Sequence, residues 1–214
     1  MDVGEAITDA YTSPPLSQPI DIAVLVSGSG TNLQALIDHQ GSYRVATVIS
    51  DRVDAPALDR ARAVGAETVV VPWNGDRDDF THRICDALER CGAAWVVLAG
   101  FMRILGPEAI RRFPDRIVNI HPSLLPAFPG SNAVAQALAH GVKQTGVTVH
   151  FVDEQVDHGP IIAQVPVEVL PDDDEDALHA RIRRQEHVIY PAVVDALARG
   201  EIEVSGRRVE WRKR

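Results

Sequence analysis

The stretch that decides the fold reads IDIAVLV over Ile20–Val26 and SGSGTN over Ser27–Asn32. The first part is an almost wholly apolar strand, and an amphipathic helix follows the second from about residue 33 to 39. Strand, glycine-containing loop and helix in this order are typical of a mononucleotide-binding α/β unit. Glycines let a ligand approach the backbone, and the amides at a helix start attract anions. By itself the stretch Ser27–Asn32, called the glycine loop below, predicts either a phosphate site or only a tight turn.

Outward from this stretch, strands and helices alternate along the chain. The expected elements are strand 44–49, helix 55–64, strand 67–71, helix 78–91 and an apolar strand within 94–100. This alternation indicates an α/β protein with a Rossmann-like, mostly parallel sheet flanked by helices. Ligands of such sheets bind at the carboxyl ends of the strands. The candidate site segments are therefore the glycine loop, FMRIL after Gly100 and NIHPS after Ile117.

The pattern changes beyond Gly130. We expect a helix over 133–140, two strands within 145–152 and 160–169 that pair as a hairpin, and a long helix over 175–198 that PDDDED caps. A last hairpin with Ser205-Gly206 as its turn closes the chain. The predicted organisation is a disordered tail over 1–19 and a single domain over 20–214. Within the domain we distinguish a phosphate-binding half over 20–100, a second half over 101–198 and the C-terminal hairpin over 199–214.

Composition excludes several classes of protein. The net charge of −9 over 214 residues argues against a general nucleic-acid binder. No apolar run approaches the roughly 20 residues of a membrane-spanning helix, and the first residues lack the features of a secretory signal. Cys85 and Cys91 have no metal-binding spacing, so we expect reduced thiols, no metal and a cytoplasmic location.

The segment NIHPSLLP, residues 119–126, carries the most specific chemical signal. Asn119 and His121 are two residues apart, so they share one face of an extended strand, and Pro122 favours that geometry. An amide beside an imidazole could stabilise an oxyanion and move a proton. Asp157, in the turn DEQVDHGP, would raise the pKa of His121 and orient it if the two met. The alternatives are a histidine that satisfies a local backbone group and an aspartate that serves the turn.

Five motifs together resemble the folate-dependent phosphoribosylglycinamide formyltransferases. They occur in order between about Asp21 and Tyr190, as SGSGTNLQ, LAGFMRIL, NIHPSLLPAFPG, TGVTVHFVDEQVDHGPII and QEHVIYP. NIHPSLLP and the VD-G-P turn are shared by formylfolate hydrolases and transferases in general, and the resemblance makes 101–198 the folate-binding and catalytic half. The glycine loop and QEHVIYP narrow the resemblance to the purine-pathway enzymes.

The resemblance implies a role for each matching residue. It implies a catalytic trio of Asn119, His121 and Asp157 and a cis peptide at Leu125-Pro126. Residues that would bind the ribonucleotide are Gly30, Thr31, Asn32, Arg183, Arg184, Gln185 and Glu186, the last on its amine. Residues that would bind the folate are Arg77, Met102, Arg103, Ile104, Leu105, Asn119, Asp153, Glu154, Gln155, Val156 and Asp157. Relatives often have a histidine where this chain has Val134, which puts any histidine role there in doubt.

The implied activity is transfer of the formyl group of 10-formyltetrahydrofolate to glycinamide ribonucleotide in purine biosynthesis. The formylfolate would be a co-substrate, without a metal, and the enzyme would be a monomer or homodimer that binds small molecules only. A formyltetrahydrofolate hydrolase is one alternative, although such enzymes carry an additional N-terminal domain and we expect only a tail here. A methionyl-tRNA formyltransferase would have a larger, basic C-terminal domain. A nucleotide-binding module without catalysis is the alternative from another class.

Overall fold

The computed structural model describes residues 15–212 and contains nine strands and six helices in that range. The strands are β1 Ile20–Val26, β2 Tyr43–Ser50, β3 Glu67–Val70, β4 Trp95–Leu98, β5 Ile117–His121, β6 Gln144–Phe151, β7 Ile161–Glu168, β8 Ile202–Ser205 and β9 Arg208–Trp211. The helices are α1 Thr31–Asp38, α2 Pro56–Ala63, α3 Arg77–Cys91, α4 Pro107–Arg112, α5 Ala133–His140 and α6 Glu175–Ala198.

Seven strands form one sheet in the order β3-β2-β1-β4-β5-β6-β7. The pairs from β3 to β5 are parallel, and β6 and β7 add two antiparallel strands at one edge. This confirms the predicted Rossmann-like, mostly parallel sheet. The strand order reverses between β1 and β4, and ligands of open α/β sheets bind at such a switch point. The glycine loop follows β1 at this point, and the segment after Gly100 follows β4.

Helices cover both faces of the sheet because side chains alternate along β1. Val24 belongs to a core cluster with α1, α2 and α6, and Leu25 belongs to a second cluster with α3 and α4. Both side chains are fully buried. The long helix α6 begins as predicted, with the Asp174 carboxylate accepting a hydrogen bond from the amide of Ala177.

The structure differs from the sequence expectations in two places. The six-residue helix α4 was not predicted, since it is too short to show a helical period. The C-terminal hairpin turns at Gly206-Arg207 and not at Ser205-Gly206, because Ser205 pairs with Arg208 and only Gly206 has the positive φ that the turn requires.

Two other expectations concern the backbone. The peptide between Leu125 and Pro126 is cis, as predicted. Of the predicted tail, residues 1–14 lie outside the described residues, and 15–19 form neither helix nor strand, with the Leu16 amide donating to Ser42 Oγ. No helix within residues 15–212 is both long and apolar enough to span a membrane.

Candidate active site

The glycine loop is joined to the segment that follows β4. The amide of Ser27 donates to the carbonyl of Gly100 at 3.2 Å, and the amide of Met102 donates to Ser27 Oγ at 2.8 Å. Gly30 is the N-cap of α1 with a φ of 72°, and no side chain caps the helix there. The first amides of a helix have no partner within the helix. The loop therefore offers backbone donors at the switch point of the sheet.

Asn32 and Glu186 connect this loop with α6, although they are 154 positions apart. Asn32 Nδ2 donates to Glu186 Oε2 at 3.1 Å. Burial raises the pKa of Glu186, and the Asn32 amide only partly offsets that effect. Asn32 Oδ1 is buried and has no hydrogen-bond partner among the described residues. A buried carboxylate and a buried free acceptor together suit a ligand with N–H donors.

One side of α1 lines a cavity of about 460 Å³ beside the glycine loop. Its lining residues come from α1, α2 and α6 and are Thr31, Gln34, Ala35, Asp38, His39, Arg60, His187 and Pro191. None of the predicted catalytic trio lines this cavity. It therefore neighbours the predicted phosphate site and not the place of proposed chemistry.

The segment after β4 presents apolar side chains to solvent. Met102 and Ile104 are 72% and 57% exposed, which is unusual for such residues, whereas Leu105 packs against the core. Arg103 Nε donates to the buried Asp51 at 2.7 Å, and its guanidinium lies 5.0 Å from the ring centroid of Trp73. The sequence reasoning missed Asp51 and Trp73 as partners of Arg103.

Three residues predicted to be catalytic lie together at the carboxyl end of β5. Asn119 Nδ2 is 3.4 Å from Asp157 Oδ1, and His121 Nδ1 is 3.3 Å from Asp157 Oδ2. The amide of Gly130 donates to Asp157 Oδ2 at 2.7 Å, and His121 Nε2 lies 2.8 Å from the carbonyl oxygen of Phe128. The meeting of Asp157 with His121, which spacing left open, is thus present.

His150 is a fourth member that the sequence reasoning missed. It lies opposite Asn119 in the pairing of β5 with β6, and its Nε2 is 3.3 Å from Asn119 Nδ2 and 3.7 Å from Asp157 Oδ1. Its Nδ1 is 2.7 Å from the carbonyl oxygen of Phe151, so a neutral ring that donates from Nδ1 can accept from Asn119. We call Asn119, His121, His150 and Asp157 the polar cluster.

Burial opposes the effect of neighbouring groups on the pKa values of the polar cluster. It lowers the pKa of His121 below its ordinary value, although Asp157 and the Phe128 carbonyl act in the opposite direction. The expected effect of Asp157 is present, but the expectation of a raised pKa is wrong because burial outweighs it. Burial also raises the pKa of Asp157, yet His150, the Gly130 amide and His121 together bring that pKa below its ordinary value. The cluster therefore holds an aspartate anion beside a histidine that loses its proton readily.

Both ring nitrogens of His121 face acceptors, namely Asp157 and the Phe128 carbonyl. A neutral imidazole can donate to only one of them, whereas an imidazolium can donate to both. Proton uptake by His121 is thus opposed by burial and favoured by its neighbours. A group poised in this way can exchange a proton during a reaction.

The remaining predicted residues lie around this centre. Residues 153–157 form a turn in which Val156 is 48% exposed and Asp157 has a φ of 50°. The C-terminal hairpin supports this turn, since Arg207 Nη2 donates to the carbonyl of His158 at 2.9 Å. Exposed on this turn are Glu154 and Gln155, while Asp153 is half-buried.

On the helices, Arg77 is the exposed first residue of α3, and α6 carries Arg183 and Gln185 half-buried and Arg184 exposed. Val134 is buried in the core. Within residues 15–212 no group of three or more His, Cys, Asp or Glu side chains is arranged to hold a metal ion.

The fold and the polar cluster agree with what comparison with known proteins finds. The family model described as formyl transferase matches residues 20–194, so the chain belongs to the formyl transferase family. The class implied by the five motifs is thereby confirmed.

Particular relatives narrow the comparison. The phosphoribosylglycinamide formyltransferase of Mycobacterium tuberculosis is 45% identical over 199 residues, covering 90% of this chain and 92% of its own. The crystal structure of glycinamide ribonucleotide transformylase 1 from Symbiobacterium toebii superposes with a TM-score of 0.89 and 46% identity, over 92% of this chain and 96% of that one. A formyltetrahydrofolate deformylase from Pseudomonas syringae has a TM-score of 0.86 but 26% identity, and the match covers 92% of this chain and 67% of that one.

Proposed function

We propose that this enzyme transfers the formyl group of 10-formyltetrahydrofolate to the amine of glycinamide ribonucleotide. The observation that carries the proposal is the contact of Asn32 with Glu186, which joins the glycine loop to α6. This contact lies at the carboxyl ends of the parallel strands, as the polar cluster does. A phosphate on the loop and an amine near Glu186 would place a ribonucleotide between them. The high identity to relatives named for this reaction supports the same substrate.

The glycine loop is the proposed site of the substrate phosphate. The amides of Gly30, Thr31 and Asn32 stand at the start of α1, where the helix dipole favours an anion. Glu186 would receive the amine, and the free Asn32 Oδ1 would accept a hydrogen bond from the substrate. Arg183, Arg184 and Gln185 would line the same side of the ribonucleotide. A crystal soaked with sulfate should show the anion at Gly30 and not beside Arg207 and Arg208.

The folate would lie against the exposed apolar residues after β4. Met102 and Ile104 on one side and Val156 on the other present apolar surface that a flat pterin ring would cover. The backbone of residues 102–105 and the turn 153–157 would border the ring, and Arg77 would reach the distal part of the molecule. The formyl group would then point toward Asn119.

The polar cluster would carry out the chemistry without a covalent enzyme intermediate. The free amine attacks the formyl carbon, and the carbonyl oxygen becomes an oxyanion that the Asn119 amide and a protonated His121 stabilise. The C–N bond to the folate then breaks, while the proton lost by the amine passes to the departing folate nitrogen. Asp157 favours the protonated form of His121 at that stage, against the effect of burial.

One assay separates this proposal from its alternatives. The change in folate absorbance on loss of the formyl group is followed with and without glycinamide ribonucleotide. We expect turnover only when the ribonucleotide is present, with stoichiometric formylated product. Equal turnover without it would identify a formyltetrahydrofolate hydrolase, the activity named for the Pseudomonas syringae neighbour. No turnover under either condition, with the ribonucleotide bound, would leave a binding module.

A further inference from the structure

We propose that Arg60 is a positioning residue that turns the backbone of the glycine loop so that its amides face the substrate phosphate. The inference rests on the proposed function, because it assumes that a phosphate binds at this loop. Arg60 is half-buried on α2, outside the set of residues given a role above.

Two carbonyl groups of the glycine loop are held by α2. Arg60 Nε donates to the carbonyl oxygen of Ser29 at 2.9 Å, and the amide of Ala57 donates to the carbonyl oxygen of Gly28 at 3.2 Å. Arg60 Nη1 also donates to Gln34 Oε1 on α1 at 3.0 Å, so the guanidinium bridges the loop and the helix that follows it. The orientation of two successive peptide groups is thereby fixed from one side.

Because the peptide group is planar, a contact that fixes its carbonyl also fixes the direction of the amide that follows. In a trans peptide the N–H of one residue points opposite to the C=O of the residue before it. Because the carbonyls of Gly28 and Ser29 point toward α2, the amides of Ser29 and Gly30 point away from it. Without Arg60 the Ser29 carbonyl could rotate toward the anion, where two negative ends would repel each other.

The glycine loop packs directly against α2. A Cβ atom on Gly30 would lie 2.6 Å from Ala57 Cβ and 3.4 Å from Arg60 Cδ. The glycine is thus required both by its positive φ and by the approach of α2. Arg62, two residues after Arg60, instead pairs with Asp59 on the surface at 2.8 Å. It provides a matched control on the same helix.

The test compares Arg60→Gln with Arg62→Gln in steady-state kinetics. We expect Arg60→Gln to raise the KM for glycinamide ribonucleotide about tenfold, which is the effect of one hydrogen bond from a charged group. Its kcat should stay within about twofold and the KM for formylfolate should not change, since the loop does not touch the reacting atoms. Arg62→Gln should match the unmodified enzyme. Arg60→Lys, which keeps a charged donor toward Ser29, should recover part of the loss.

A second substrate separates positioning of the loop from a general structural role. Glycinamide riboside lacks the phosphate, so its kcat/KM should be the same in Arg60→Gln and the unmodified enzyme. An equal loss with riboside and ribonucleotide, or a fall in kcat with an unchanged KM, would overturn the inference. If Arg60→Gln fails to fold, Arg60→Met, which removes the donor and keeps the apolar stem, takes its place, and an unchanged KM for the ribonucleotide in that variant counts against the inference.

A binding experiment keeps this inference distinguishable from the proposed function. Inorganic phosphate is titrated into ¹⁵N-labelled protein while the amide signal of Gly30 is followed. We expect the signal to shift in the unmodified protein and to need about ten times more phosphate in Arg60→Gln. This result would support the role of Arg60 even if no formyl transfer occurred. A Gly30 signal that phosphate does not move in the unmodified protein would overturn the inference even if transfer occurred.

Discussion

The glycine loop and the polar cluster both lie at the carboxyl ends of the parallel strands, but they are built from different groups. The loop presents main-chain amides, and its own carbonyls are held by Ala57 and Arg60 of α2. The polar cluster presents side chains that titrate, and the main chain only supports them through Gly130 and Phe128. Binding of an unreactive phosphate needs fixed donors, whereas formyl transfer needs groups that can change their protonation.

This difference predicts how the two regions respond to pH and to mutation. Amides keep their charge distribution at every pH, so the loop should bind equally well across the range in which the phosphate stays ionised. The pKa values of His121 and Asp157 are both displaced by burial and by neighbours, so activity should depend on pH. Mutations in the loop should alter KM, and mutations in the cluster should alter kcat.

Asp157→Asn should have the largest effect. We expect the fold and the binding of both substrates to persist and kcat to fall by about 10²–10⁴, the usual contribution of a general acid or base. The pKa of His121 should fall further, because the charge of Asp157 has the largest effect among the groups that raise it. Kinetics and NMR titration of the His121 ring measure both effects. Asp172→Asn, on the exposed surface before α6, is the control.

The same variant tests whether the two residues act as one unit. His121→Ala and the double variant should have similar rates, since the effects of residues that act together are not additive. Losses that multiply, or a His121 pKa that Asp157→Asn leaves unchanged, would contradict the coupling.

The effect of pH on the stability of the fold follows from the lowered pKa of His121. As the pH falls below about 6.5 the unfolded chain takes up the proton first, so the contribution of His121 to folding is lost there.

Most of the fold could be predicted because its signals are local. The apolar run of Ile20–Val26 and the acidic first turn of α6 both predict elements that the structure confirms. The six-residue helix α4 could not be predicted in this way, because two turns do not establish a period. The mostly parallel sheet followed from the alternation of strands and helices.

Which residues meet in the polar cluster was predictable where a motif contained them and not where strand pairing places them. NIHPS and the VDHGP turn identified Asn119, His121 and Asp157, but no local pattern places His150 beside Asn119. That neighbour depends on the register of β5 with β6, two strands separated by a helix, and no local pattern gives that register. Phe128 and Gly130 contact the polar cluster, and Asp51 contacts Arg103. These contacts likewise depend on the folded structure and not on a local pattern.

Glu186→Gln should have an effect of intermediate size, because Glu186 faces the loop and not the polar cluster. We expect the KM for glycinamide ribonucleotide to rise about ten- to a hundredfold, since a charged partner of the amine is lost. The kcat should change much less. Steady-state kinetics with Glu210→Gln, an exposed residue of β9, as the control measures this split.

The same change should stabilise the fold. Burial raises the pKa of Glu186, so its ionisation at neutral pH costs stability, and this cost disappears as the pH falls below the raised pKa. Glutamine is neutral and can still accept the hydrogen bond from Asn32. Thermal unfolding at pH 7 should show a higher Tm for Glu186→Gln, with the difference shrinking at acidic pH. A lower Tm would show that the carboxylate is stabilised by more than the Asn32 contact.

The smallest effect is expected for Arg207→Gln at the tip of the C-terminal hairpin. Arg207 holds the carbonyl of His158, and His158 Nδ1 lies 2.7 Å from Asp153 Oδ2, so the hairpin supports both ends of the turn that carries Asp157. Arg207 and His158 are both exposed, and a single hydrogen bond of this kind contributes about 1 kcal/mol. We therefore expect kcat/KM for formylfolate to fall no more than about fivefold, while the KM for the ribonucleotide stays the same.

Salt provides the decisive control for this last variant. At about 1 M salt, where the Debye length is about 3 Å, charge contacts between exposed groups are largely screened. Because Arg207 contacts a backbone carbonyl and not a carboxylate, the difference between Arg207→Gln and the unmodified enzyme should persist, and Arg208→Gln should show no difference at any salt concentration. A deficit in Arg207→Gln that high salt removes would mean that the guanidinium acts on the turn by charge, and not through its hydrogen bond to the His158 carbonyl. A changed KM for the ribonucleotide would mean that the loop and the cluster are not separable.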